Sequence, residues 1–151
     1  MDIIDKKILK ILSANANIPT TEISEMVNLS VPAVNKRIAK LKEKNIITSF
    51  TVTTDSKLVS KPILAFILIV VRYNDGTDEL IKILSQDKDI LECYAVTGEY
   101  DYILKVCAAD VEELENKLLL LKRQKGVVKS HTMLSLMEHK FQPTVLPDMQ
   151  E

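Results

Sequence analysis

Apolar positions follow two different rhythms along this chain, and the change between them falls near residue 60. In the first third the period is helical. Ile4, Ile8, Ile11 and Leu12 recur on one face, predicting a helix from Asp2, a good N-cap with Asp5 in its first turn, to about Ala14. Pro19 and Thr20 open a short second helix carrying Ile23, Met26 and Val27, which stops at Asn28, a residue tolerant of left-handed backbone. Ser30 then caps a third helix. Pro32 is acceptable in its first turn, where N–H groups lack intrahelical partners. Val34, Ile38 and Leu41 form its apolar face, and the helix runs to Lys44 with Asn45 at its end. Three short helices with so tight a turn between the second and third predict a helix-turn-helix.

Ile46 to Thr54 is rich in β-branched residues and reads as a strand. Asp55 to Pro62 is polar, ends in proline and marks the domain boundary. Beyond it the pattern predicts strand Ile63–Tyr73, a turn at Asp75-Gly76, helix Thr77–Gln86, strand Ile90–Thr97, a connection Gly98–Asp101, strand Tyr102–Ala108, a helix capped by Asp110 and ended by Gly126, and strand Val127–Met137. That order is β-α-β-β-α-β, a ferredoxin-like unit. The fold class is thus α+β. A helix-turn-helix domain (1–50, winged-helix-like) is followed by strand and linker (51–62), a ferredoxin-like domain (63–141) and a tail (142–151), whose last residues from Asp148 read as frayed.

Ile63 to Val71 is apolar at every position rather than alternately. Two helices cover one face of such a sheet, so the other face exposes an apolar patch of a kind that monomers rarely carry. A second copy of the sheet is the simplest cover and predicts a homodimer through this domain. The alternative is cover by the linker or tail of the same chain.

Composition narrows the function classes. The chain has 151 residues and a net charge of −1, which excludes a uniformly basic protein. The charge is uneven: residues 1–50 hold eight Lys/Arg against five Asp/Glu, and the remainder twelve against sixteen. The nine-residue run from Ile63 is too short to span a bilayer. Met1 leads into Asp2 and Asp5 without a basic-then-apolar leader, so no signal peptide and no membrane partner are expected. Cys93 and Cys107 are the only cysteines, neither at metal-site spacing, and His131 and His139 the only histidines. A cytoplasmic protein without metal or cofactor is the expectation.

Lys36, Arg37, Lys40, Lys42 and Lys44 against Glu43 alone give a basic run of +4 in nine residues on and just after the third helix. Opposite Val34, Ile38 and Leu41 its wheel presents Pro32, Ala33, Lys36, Ala39 and Lys40, with Arg37 on one flank and Asn35 on the other. Lys and Arg neutralise phosphates, Asn can read adenine, and small residues let the helix start approach base edges. With the cap Ser30, the residues Pro32, Ala33, Asn35, Lys36, Arg37 and Lys40 are candidate contacts to double-stranded DNA. A merely solvated basic face is the competing reading.

Gly98, Glu99, Tyr100 and Asp101 lie between two apolar strands. They form either a plain hairpin turn with Gly98 at positive φ, or a cradle whose N–H groups and carboxylates hold the two charged ends of an amino acid. Cys93 and Cys107 are expected nearly opposite each other across this hairpin, as small core residues.

Asp2-x-x-Asp5-x-x-Ile8-Leu9, Glu22-Ile23, Leu29-Ser30, Val34-x-x-Arg37-Ile38-x-x-Leu41 and Ile46-Ile47, followed by Val96-x-Gly98-x-Tyr100-Asp101-Tyr102-Ile103-Leu104 and Gly126-Val127-x-x-x-x-Thr132, resemble the leucine-responsive regulator (Lrp/AsnC) family over nearly the whole chain. The resemblance implies a transcription regulator whose dimers often assemble into octamers, commonly under control of an amino acid. It also implies an effector site between dimers lined by Gly98, Tyr100, Asp101 and Thr132. Four positions depart from the pattern. Asn28 and Asn45 replace glycine, Asn17 stands where arginine is frequent, and Pro19 replaces a serine cap.

Two other classes compete. Some haem-pathway decarboxylases resemble this family, but such an enzyme calls for clustered His and Arg, and here His131, His139, Arg72 and Arg123 are dispersed. No P-loop, GxGxxG or nucleophile with a base is present either, so an enzyme is not expected. An effector-binding partner that has lost DNA binding is the third class, and the intact basic helix argues against it.

Overall fold

Asp2 and Asp5 start the first helix by capping each other. The computed structural model describes residues 1–72 and 76–148. In it the Asp2 carboxylate accepts from the Asp5 backbone N–H at 2.8 Å and the Asp5 carboxylate from the Asp2 N–H at 3.3 Å, which satisfies two of the open donors at the start of α1 (Ile3–Ala14). α2 (Thr20–Val27) has no side-chain cap, because Pro19 offers none. It ends on Asn28 in the left-handed region at φ 53°, with the Leu29 N–H closing onto the Ser24 carbonyl at 3.0 Å. α3 (Val31–Glu43) begins at Ser30, whose hydroxyl accepts from the Ala33 N–H, and stops before Asn45 at φ 54°. Both asparagines at glycine positions thus adopt the conformation that glycine would supply. Ile8, Ile23, Val27, Val34 and Leu41 are the buried core of this unit.

Ile46–Thr54 forms no strand, against the sequence expectation. A β-rich composition describes a good fit to a sheet; without a neighbouring strand to pair with, the segment bends at Ile46 and Ile47 and continues without regular structure, and residues 48–60 are exposed throughout. Short turns at 55–61 complete the linker, with the Lys61 N–H on the Ser56 carbonyl at 2.7 Å.

The second unit is a four-stranded antiparallel sheet in the order β2-β3-β1-β4, built from β1 (Ile63–Val71), β2 (Ile90–Ala95), β3 (Tyr102–Ala108) and β4 (Val127–Leu134). α4 (Thr77–Gln86) and α5 (Val111–Arg123) join the strands. Burial along β1 alternates strictly. Ala65, Ile67, Ile69 and Val71 are buried with Leu104, Val106, Leu80, Leu84, Leu114 and Leu121 in one core, while Leu64, Phe66, Leu68 and Val70 lie on the opposite face and stay partly exposed. β2 and β4 are shorter than expected, ending at Ala95 and Leu134. Tyr73 and Asp75 lie outside the described residues, as do Met149–Glu151. The cysteines are not opposite one another. Cys93 pairs with Leu104, whereas Cys107 faces Leu64 and donates its N–H to the Asp89 carbonyl, and both thiols are free.

Contacts divide the chain into two units, 1–53 with 140–151, and 54–139. Among the described residues no helix is long and apolar enough to cross a membrane.

Candidate functional site

α3 turns Val34 and Leu41 into the core, which leaves Pro32, Asn35, Lys36, Ala39 and Lys40 exposed and Ala33 half-buried. Ser30 sits at the cap itself. Lys36, Lys40 and Lys44 form no ion pair among the described residues, so their ammonium groups face solvent unneutralised. Arg37 differs. Its Nη1 lies 2.6 Å from Asp2 Oδ2 and 2.7 Å from Asp5 Oδ1, joining α3 to the start of α1. The Asp5 backbone N–H, and after it the Arg37 guanidinium, hold the Asp2 carboxyl below its usual range, while Asp2 and then Asp5 raise Arg37. Lys42 is also engaged, its ammonium 4.7 Å from the centre of the Phe50 ring. The basic run read from the sequence therefore separates into three free lysines and two committed cations.

The connection between β2 and β3 supplies the second candidate site. Gly98 holds φ 113°, a conformation natural to glycine, in open surroundings. Asp101 clasps the neighbouring strand: its carboxylate accepts from the Val71 N–H at 2.7 Å and its N–H donates to the Ile69 carbonyl at 2.9 Å. That position carries Tyr100 beyond β1 towards β4. Glu99 Oε1 meets Lys129 Nζ at 2.7 Å, Lys129 lies 5.1 Å from the centre of the Tyr100 ring, and the Tyr100 and His131 rings are 6.3 Å apart. The ion pair lowers the Glu99 carboxyl and raises the Lys129 ammonium.

Thr132 is not brought to this group within one chain. It pairs with Ile67, on the helix-covered side, while Lys129 and His131 pair with Val70 and Leu68 on the other. Sequence reading did not single out Lys129, and weighed His131 only against metal or catalysis. The signal was the two-residue alternation along β4, combined with a strand order that sets β4 beside β1.

A charged network lies elsewhere on the same unit. Lys61 Nζ reaches Asp89 at 3.2 Å and Glu113 at 2.6 Å, and Lys117 reaches Asp87 at 2.9 Å and Asp89 at 3.0 Å. Burial pushes the Asp89 carboxyl up, but Lys117 and Lys61 outweigh it and leave the carboxyl below its usual range. This arrangement ties the end of the linker to α5 and to the segment before β2. Among the described residues no group of His, Cys, Asp and Glu is arranged to hold a metal.

Comparison with known proteins adds to this geometry. Residues 1–48 match the model of a winged helix-turn-helix DNA-binding family, and residues 64–145 match that of the Lrp/AsnC ligand binding domain. The chain is 38% identical over 147 residues to the HTH-type transcriptional regulator FL11 of Pyrococcus horikoshii, covering 97% of this chain and 96% of that protein. It is 28% identical over 118 residues to the regulatory protein AsnC of Haemophilus influenzae, covering 78% and 79% of the two chains. Among solved structures, the transcriptional regulator NMB0573 of Neisseria meningitidis in complex with L-methionine superposes with a TM-score of 0.91 at 26% identity, over 96% of each chain.

Proposed function

The chain belongs to the Lrp/AsnC family of DNA-binding transcriptional regulators, and on that premise we propose that an amino acid bound by its second unit controls its hold on DNA. The enzyme reading falls away, since the relatives are named throughout as regulators. The observation that carries the proposal is the exposed face of α3, where Lys36 and Lys40 flank Asn35 above a helix start kept small by Pro32 and Ala33. The lysines supply phosphate contacts and Asn35 a base contact. The functional division follows the sequence boundaries, with DNA binding in 1–50, linker in 51–62, effector binding and oligomerisation in 63–141 and a tail from 142.

The effector part of the reading rests on the connection 98–101. Lys129 and Glu99, paired with each other in the free chain, are complementary to the carboxylate and ammonium of an amino acid, and Tyr100 and His131 add aromatic walls. The methionine complex of the similar Neisseria regulator supports this ligand class. Thr132 joins such a site only from another copy, which agrees with an effector held between dimers. The uncovered sheet face with Leu64, Phe66, Leu68 and Val70 supports the homodimer, and octamers follow if dimers close a ring. The two free thiols agree with a cytoplasmic protein.

Fluorescence anisotropy with DNA from upstream of the protein's own gene, against unrelated DNA and at several salt concentrations, tests the reading. Preferential binding with a steep salt slope, altered by one of the twenty amino acids, is the expected result. Equal weak binding to both duplexes removes autoregulation. No binding at low salt overturns the assignment of α3, and indifference to every amino acid overturns the effector.

A further inference from the structure

We propose that Arg37 is a positioning residue, which fixes the orientation of α3 through the two carboxylates at the start of α1, and is not a contact to DNA phosphate. The inference rests on the reading of α3 as the DNA-facing helix and assigns a separate role to one of its cations.

Three observations carry it. First, Nη1 of the guanidinium is already shared between the two carboxylates, 2.6 Å from Asp2 and 2.7 Å from Asp5. The charge of Arg37 is thus taken up by two carboxylates, and the attraction left for a phosphate at this position comes from Lys40 and Lys44 beside it, unpaired among the described residues. Second, Arg37 stands three residues after Val34 and four before Leu41, the two buried residues of α3, and so belongs to the edge of the packed face. Lys36 and Lys40, by contrast, are exposed and carry no ion pair among the described residues. Third, Asp2 and Asp5 are themselves held still, because each accepts the other's backbone N–H in the reciprocal cap. A rigid acceptor pair is suited to fixing rotation of α3 about its axis, and that rotation decides whether Asn35 and Lys36 meet a base edge or miss it.

The carboxylates give a test with opposite signs. If they only add negative charge near DNA, removing one tightens binding. If they position α3 through Arg37, removing one weakens binding to the preferred sequence. The probe is a duplex enriched by the full-length wild-type protein from a randomised pool, compared with a scrambled duplex of the same composition, each titrated at several salt concentrations. Asp5→Asn is expected to weaken the enriched duplex by about tenfold, the size of one misread base pair, while leaving the scrambled duplex within about twofold. Asp2→Asn acts in the same direction and keeps the cap, since asparagine caps as well as aspartate.

Arg37→Met is expected to lose the preference with the salt slope unchanged, and Arg37→Lys to restore part of it. Lys36→Ala, the reference phosphate contact, shallows the slope by roughly 0.9. Thermal unfolding verifies that each variant is folded, and the two Asp variants stand in if Arg37→Met is not. A slope reduced by roughly 0.9 in Arg37→Met, with both duplexes weakened alike, overturns the proposal in favour of a phosphate contact. Tighter or unchanged binding of the enriched duplex by Asp5→Asn overturns it equally. Failure of the wild type to enrich any duplex is a distinct result, which overturns the DNA-facing reading of α3 itself.

Discussion

Asn28 holds φ 53° and ψ 48° at the turn that sets α3 against α2. Asparagine reaches that conformation at modest cost because its short amide interacts locally, whereas alanine is penalised by roughly 1–2 kcal/mol. Asn28→Ala is therefore expected to lower unfolding free energy by about 1 kcal/mol and Asn28→Gly to leave it equal or higher, read from urea denaturation. Asp101 sets a different kind of constraint. Its carboxylate satisfies the Val71 N–H, so Asp101→Ala leaves that donor without its partner and is expected to cost about 1–3 kcal/mol by the same measurement. Both residue types were visible in the sequence as turn formers. The atoms they engage were not, since Asp101 and Val71 are thirty residues apart. The same separation hid the partners of Arg37 and the meeting of Tyr100 with Lys129 and His131: a one-dimensional pattern assigns a residue to a face, and only strand order and helix packing bring two faces together.

The helices and sheet strands were legible because each has a clear apolar period, and three of the helices add a capping residue. Asp2, Ser30 and Asp110 all cap the helices they were expected to open. Ile46–Thr54 was misread for a physical reason, since a strand depends on a hydrogen-bonding neighbour that its own sequence does not encode. β1 shows how much a doubly apolar strand can convey. Its two faces are predicted to respond differently to substitution. Ile67→Ala opens a hole in the core and is expected to cost about 2–5 kcal/mol in chemical denaturation. Leu68→Glu, on the opposite face beside Ile103 and His131, is expected to leave the fold intact and to separate the proposed dimer, read by light scattering across a dilution series.

The network at the linker end predicts a pH dependence. Asp89 and Glu113 have folded pKa values below their usual 3.8 and 4.5, so each is deprotonated more readily in the folded chain than in the unfolded one. Their stabilisation is complete above those usual values and disappears as pH falls through the lowered ones. Lys61→Met is expected to lower thermal stability near neutral pH, where the ion pairs are intact, and to change it less in acid, so that its loss of stability on acidification is shallower. A loss of equal steepness in both proteins would place the acid sensitivity elsewhere.

For the molecule as a whole, charge matters by place and not by total. In a chain with net charge −1, Lys36, Lys40 and Lys44 are exposed on and just after α3, the helix proposed to face DNA, while Lys61, Lys117 and Lys129 are engaged with carboxylates elsewhere. Lys40→Ala is accordingly expected to weaken binding to every duplex alike and shallow the salt slope by roughly 0.9, whereas Lys122→Ala on α5 leaves both unchanged.

The two buried cores contain no residue in common, the first drawing on positions 8–41 and the second on 65–121. Between them the exposed stretch 48–60 contributes to neither. A recombination event that joins two related genes anywhere in that stretch opens no core, and so yields a chain in which both halves still fold. On the proposed division of labour, operator reading and ligand sensing are then separate heritable parts, save that the tail 140–151, which groups with the first unit, travels with the second.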